Sequence, residues 1–311
     1  MLCLGMLAQI PRYSLQIAPL GLRTILRSSS PPLLEAAAVA YADWAVAEID
    51  APVLEVTLEL GRASEGEGEV EIRVDGARLA LNGPGITGWA DAAAKRAHGV
   101  VPAWLAEDPK ALADRVLDTL LLFLIARAGR TPVHAAGVMI GDRVAVLAGP
   151  SGAGKSTLAL RAMERGLRIL SDDTLYIQLH PAFRAWGLPR PLHVFPETAP
   201  RFSQGTRLRA GKLKLVAPLA PEAARSFADD AVLVVLDRGE RLALTPIAPE
   251  AALARLGPLE PGFDLLRRES DEALGALARR GAWRLALTGD PGAAIDLLCE
   301  RLGADADVVG A

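Results

Sequence analysis

Residues 143–165 read RVAVLA, then GPSGAGKS, then TLALRAMER: an apolar run, eight residues rich in glycine, and apolar residues at helical spacing. No other stretch restricts the fold as much, because it demands a buried strand that stops abruptly and feeds a helix. The eight residues fit the pattern G-x-x-x-x-G-K-[ST] at every position from Gly149 to Ser156. Such glycines let the backbone curl until its N–H groups converge on phosphate oxygens. On that reading Gly149, Ser151, Gly152, Ala153, Gly154 and Thr157 form the cradle, and Lys155 reaches the terminal phosphates. Ser156 ligates Mg²⁺, and the helix N-terminus adds its partial positive charge. The motif fixes a nucleotide and leaves the reaction open, since transporters, switches, motors and kinases all use it.

Two adjacent carboxylates, Asp172 and Asp173, close the segment RGLRILSDD just after that helix. A strand starting there is expected beside the one feeding the loop, which brings its carboxyl end to the phosphates. One carboxylate then holds Mg²⁺ and the other takes the proton of an attacking hydroxyl, the division of labour a kinase needs. The plainer alternative is that SDD caps a strand or begins a turn. Asp237, at the end of AVLVVLD, is a competing magnesium ligand. The RGE that follows lacks a second carboxylate to orient water and the chain has no LSGGQ-like signature, so Asp237 reads as a structural strand end. His134, in TPVHAAGV, taken alone reads as a structural histidine.

The composition excludes several classes. With 51% hydrophobic and 23% charged residues and a net charge of −3, the chain is globular and lacks the basic excess of a nucleic-acid binder. Cys3 and Cys299 stand far apart without a C-x-x-C or Cys/His cluster, so neither a disulfide framework nor a zinc site is expected. The apolar opening MLCLGMLAQI has no basic residue ahead of it and no clear cleavage site, and reads as a strand or terminus rather than a signal peptide. LDTLLLFLIA, residues 117–126, falls short of the roughly 20 apolar residues of a membrane span and reads as a buried helix. A cytoplasmic protein that binds neither nucleic acid nor membrane is expected.

The fold class read from the pattern is mixed α/β, with a boundary near residue 130. Residues 1–130 form a smaller α/β region, with helical composition over 33–49, a strand meander around Asp75-Gly76 and a helix over 108–128 ended by Gly129. Residues 131–311 hold the strand pair VHAAGVMIGDRVAVLAG, the loop and its helix, strands at LRILSDD, TLYIQL and AVLVVLDR, and helices near 249–256, 262–280 and 291–303 with the strand WRLALTG between the last two.

His134, the strand pair, GPSGAGKST, the helix and RGLRILSDD, in that order, resemble the kinase domain of HPr kinase/phosphorylase and its relatives. The resemblance covers residues 131–180 well and continues less closely to about 303. It implies the sheet shared with phosphoenolpyruvate carboxykinases, with ATP and Mg²⁺ as cofactors. It also implies that Asp172 helps hold metal, that Asp173 is the general base toward a seryl hydroxyl, and that His134 supports that carboxylate and the phosphates. Two departures bear on the substrate: Arg184, in FRAWG, stands where those kinases carry a glutamate, and their proline- and arginine-rich phosphorylase loop is absent. These speak against HPr as the acceptor and against phosphorolysis. The chain is similar instead to the HPr-kinase-like proteins of lasso-peptide and other ribosomal-peptide clusters, through LFLIARAGRTPVHAAGV and the LDR tail, which implies a peptide or protein serine as acceptor. Homo-oligomers are common among such kinases, so a homo-oligomer is possible here, and the sequence leaves the oligomeric state open.

Two basic stretches are candidates for holding the acceptor or the transferring phosphate. RLRAGKLKL supplies Arg207, Arg209, Lys212 and Lys214, which equally suit a solvated strand. RAWGLPRPLHVFPE offers Trp186, Arg190 and His193 as a groove lining, though a packed aromatic in a proline-rich loop is as ordinary. The expected function is an ATP- and Mg²⁺-dependent serine-type kinase, with a nucleotide-binding regulator or ATPase, or a small-molecule kinase, as the alternatives.

Overall fold

In the computed structural model the chain divides into two compact units, Met1–Ala128 and Gly129–Ala311. The structure describes residues 12–42, 53–61, 68–188, 190–195, 206–209, 212–219, 223–224, 226–257 and 266–308. The opening decapeptide and the second half of the helix expected over 33–49 lie outside these residues.

The first unit is built on one sheet. Its strands are β1 (Tyr13–Ile17), β2 (Thr24–Ser28), β3 (Leu54–Leu60), β4 (Glu71–Asp75), β5 (Arg78–Gly83), β6 (Ile86–Asp91) and β7 (Arg96–Val101), in the order β1-β2-β3-β7-β6-β5-β4. The β2–β3 and β3–β7 pairs are parallel and the others antiparallel. In β3 the alternating Leu54, Val56 and Leu58 are fully buried, the signature of a strand with one covered face. The expected helix over 108–128 is α2 (Pro109–Leu112), continuing through a π-turn (Ala113–Leu117) into α3 (Asp118–Arg127). Asp108 caps it by accepting the N–H of Ala111 at 2.9 Å. Its apolar face meets β6 and β7, beside α1 (Pro31–Ala40).

The second unit has at its centre a six-stranded sheet in the order β11 (Ile169–Ser171), β9 (Ala135–Ile140), β10 (Arg143–Ala148), β18 (Asp230–Arg238), β20 (Ala282–Leu287), β19 (Ala243–Pro246). The β10–β18 and β18–β20 pairs are parallel. Helices cover both faces, which is why β9, β10 and β18 are near-continuous apolar runs. Val144, Val146, Leu233 and Val235 pack with Ala252 of α5 (Pro249–Leu256) and with Ala273 and Leu277 of α6 (Arg267–Arg280). Ala145, Leu147, Val232 and Val234 pack with Leu158 of α4 (Lys155–Glu164) and Ile295 of α7 (Pro291–Val308).

Two smaller antiparallel sheets complete the unit. β8 (Thr131–Val133), β12 (Leu175–Gln178), β13 (Arg184–Gly187) and β17 (Phe227–Ala228) run in the order β17-β13-β12-β8. β14 (Leu192–Val194), β15 (Thr206–Arg209) and β16 (Lys212–Ala217) run in the order β14-β16-β15. The stretch 184–197 read as a proline-rich loop therefore contains two strands, and RLRAGKLKL is a hairpin rather than one strand.

The strand ending at the carboxylates does not lie beside the strand feeding the loop. A tight turn at Gly141-Asp142 folds β9 back along the whole of β10, from Arg143 opposite Ile140 to Ala148 opposite Ala135, and the nine-residue β18 fills the other side. β11 pairs with the far edge of β9. Two antiparallel steps restore its direction, so its carboxyl end still points to the end of the sheet where the loop begins.

Candidate phosphate and carboxylate site

The loop leaves β10 at Gly149 and enters α4 at Lys155. Gly152 and Gly154 take φ of 82° and 107°, the left-handed region that a side chain resists; Gly154 in this conformation is the N-cap of α4. The first turn of an α-helix leaves its N–H groups without helical partners, which gives Ser156 and Thr157 the donors an anion needs. Lys155 is buried, and its Nζ donates to the carbonyls of Gly149 at 2.7 Å and Pro150 at 3.2 Å. The ammonium is therefore held against the start of the loop.

The carboxylates stand beside the helix end of the loop. Ser156 Oγ donates to the main-chain oxygen of Asp172 at 3.4 Å. Asp172 is buried, and its Oδ2 accepts the main-chain N–H of His193 at 2.9 Å. The Ser171 hydroxyl accepts the N–H groups of Asp173 at 3.5 Å and Thr174 at 3.3 Å, fixing the turn in which the pair sits. Part of the plainer reading therefore holds, since Ser171 ends β11 and the two aspartates form the bend after it, but a bend whose backbone is tied to the loop's serine.

Asp173 and His134 share one end of the β8–β12 pair. Leu175 stands opposite Val133 in that pairing; His134 is one residue beyond Val133 and Asp173 two residues before Leu175. His134 also lines a cavity of about 440 Å³ together with Gly149, Pro150 and Ser151 on one side and residues of α5 and α6 on the other. Arg255, Arg267 and Asp271 belong to that lining. Sequence reasoning missed them, because nothing local ties helices more than 90 residues downstream to the loop.

Other candidates are engaged elsewhere. Asp237 accepts from Arg284 Nε at 2.8 Å and from the N–H of Arg238 at 2.8 Å, and the Arg284 bond holds its carboxyl below the usual range. Arg184 bonds Asp229 at 2.6 Å and lies over the Phe227 ring at 4.1 Å. Trp186 is fully buried and donates to Gln178 at 3.0 Å, so it is core rather than a groove lining. Below it, burial draws the Arg130 guanidinium down to about 10, still a cation at neutral pH. The N–H of Arg190 bonds the Leu188 carbonyl at 2.8 Å, and Lys214 faces the Phe195 ring at 5.3 Å. The side chains of Arg207, Arg209 and Lys212 lie outside the described residues.

Among the described residues, no helix is long and apolar enough to cross a membrane, and no three His, Cys, Asp or Glu side chains group as a metal cage. No protein-family model matches the chain, and no curated protein does. Among solved structures it is similar to the HPr(Ser) kinase/phosphatase from Coxiella burnetii, at 11% sequence identity and a TM-score of 0.33, over 56% of this chain and 95% of the other.

Proposed function

We propose that the unit Gly129–Ala311 is an ATP- and Mg²⁺-dependent kinase that phosphorylates a serine hydroxyl of a ribosomally made precursor peptide. The observation that supports it best is the tie between Ser156 and Asp172, which sets a loop of phosphate-binding pattern beside two carboxylates. Loop N–H groups and Lys155 hold the triphosphate. Ser156 Oγ and the Asp172 carboxylate are hard oxygen donors that fit Mg²⁺, which takes one or two protein oxygens and fills its shell with phosphate and water. Ser156 and Asp172 would hold the ion, and its charge would there offset that of the terminal phosphates.

Asp173 accepts the proton of the serine hydroxyl as its oxygen bonds to the γ-phosphorus. The bond from that phosphorus to the bridging oxygen breaks, and ADP leaves with the electron pair. His134, at the same end of the β8–β12 pair, orients Asp173 and faces the phosphates. Positioning and charge stabilisation provide most of the acceleration. The serine acceptor and its peptide context follow from the motif resemblance.

Mass spectrometry of the purified protein with ATP, Mg²⁺ and peptides encoded beside its gene tests this. The expected result is a mass gain of 80 Da, one phosphate, on a serine. ATP hydrolysis without peptide modification would identify an ATPase or regulator instead.

A further inference from the structure

The cavity between the loop and helices α5 and α6 has no role in the chemistry above, and its position relative to Lys155 gives it one. The P-loop lysine reaches the β- and γ-phosphates, and here its ammonium lies against Gly149 and Pro150. Those two residues and Ser151 form one wall of the cavity, so it adjoins the end of the loop where the terminal phosphoryl sits. His134, which shares the end of the β8–β12 pair with Asp173, forms the next wall. A hydroxyl in this cavity would lie beside the start of the loop and next to the end of the β8–β12 pair that Asp173 shares with His134.

The remaining lining is apolar at depth and charged at the mouth. Val133, Leu253, Leu256 and Leu274 supply the apolar walls. Arg267 and Asp271 pair loosely at 3.9 Å, both well exposed. Arg255 donates to the Ala251 carbonyl of its own helix at 2.9 Å and adds a second positive charge. The volume of about 440 Å³ lies in the range of ~300–1,000 Å³ typical of small-ligand sites.

We propose that this cavity is the acceptor-specificity pocket, taking a large apolar side chain next to the reacting serine, with an acidic group of the same peptide held by Arg255. The proposal rests on the kinase reading and deepens it. The lining carries two arginines against one aspartate, with Asp237 outside it but within Coulombic reach of Arg255, and this excess favours an anionic segment over a basic one, while the apolar walls select shape by burial.

The test incubates the full chain with γ-labelled ATP and serine-centred peptide libraries in which each flanking position is scanned in turn. Wild type is expected to select one large apolar and one acidic residue. Arg255→Gln should weaken the acidic selection about two- to fivefold, the scale of an exposed ion pair. Leu253→Ser, at a half-buried position, should weaken the apolar selection about tenfold or more. Binding of a fluorescent ATP analogue by both variants checks that they fold. Labelling without either preference, or preferences that survive both substitutions, overturns the pocket and leaves the kinase reading standing. Labelling of free serine instead of peptides overturns the peptide occupant. No labelling by a protein that still binds ATP overturns the kinase reading and the pocket with it.

Discussion

Ser156 and Asp172, 16 residues apart in sequence, meet where the first turn of α4 passes the end of β11, with the serine hydroxyl donating to the aspartate carbonyl at 3.4 Å. The Asp172 side chain in addition accepts the His193 N–H from β14 on its Oδ2 at 2.9 Å. One residue thus joins the loop to the small sheet β14-β16-β15, and the charge of its side chain separates by mutation from its hydrogen-bond acceptance. Asp172→Asn keeps an acceptor oxygen for His193 and loses the charge, so thermal stability should hold while Mg²⁺-dependent ATP binding weakens. Asp172→Ala leaves a buried N–H unpaired and should also cost about 1–3 kcal/mol, read by denaturant unfolding.

Lys155→Met should abolish binding of ATP, followed by fluorescence of a labelled analogue. The ammonium donates to two carbonyls, so the variant should also lose some stability, about 1–3 kcal/mol for charged hydrogen bonds. A folded Met variant with unchanged ATP affinity would contradict the assignment of the loop.

Gly187 stands where β13 crosses β11. A Cβ built there would lie 2.0 Å from the Leu170 carbonyl oxygen, so the two backbones must separate. Gly187→Ala is expected to destabilise by about 1–3 kcal/mol or more and, by shifting β11, to impair phosphotransfer although the residue touches no substrate. Unfolding and turnover measured on the same preparation check both effects.

Asp230 begins β18 opposite Arg143. Burial alone raises its pKa, but hydrogen bonds from Arg143 at 2.6 Å and Arg280 at 3.1 Å outweigh that and hold it below 3.8. For a carboxylate depressed in the folded state, the stabilisation is complete above the unfolded value and is lost as pH falls through the folded one. Stability should thus decline below pH 3.8, and Asp230→Asn should flatten that part of the curve. With the side chain 42% exposed, its contribution near neutral pH is no more than ~1 kcal/mol.

What the sequence revealed was what is written in short spans. The loop, the apolar β18, the hairpin at Gly141 and the helix of 108–128 depend on periodicity and on glycines within a few residues. The neighbour of β11 was not legible, because strand order is settled by which edges remain open once β9 and β18 have paired with β10. The bond from His193 to Asp172 needs β14 placed by pairing with β16, about 20 residues downstream. Trp186 looked like a groove residue because an aromatic beside prolines reads the same in core and surface until Gln178 is seen beneath it. The pocket joins His134 to Arg255 and Asp271, and only the packing of α5 and α6 over β18 brings them together.

In the proposed mechanism Asp173 takes the acceptor's proton, and single-turnover phosphate transfer from ATP to a peptide serine tests this by comparing wild type with Asp173→Asn while ATP affinity is measured in parallel. A general base of this kind contributes about 10²–10⁴-fold, so the variant should lose transfer on that scale while binding ATP within about twofold. Transfer at the wild-type rate by a variant that binds ATP normally would contradict the account.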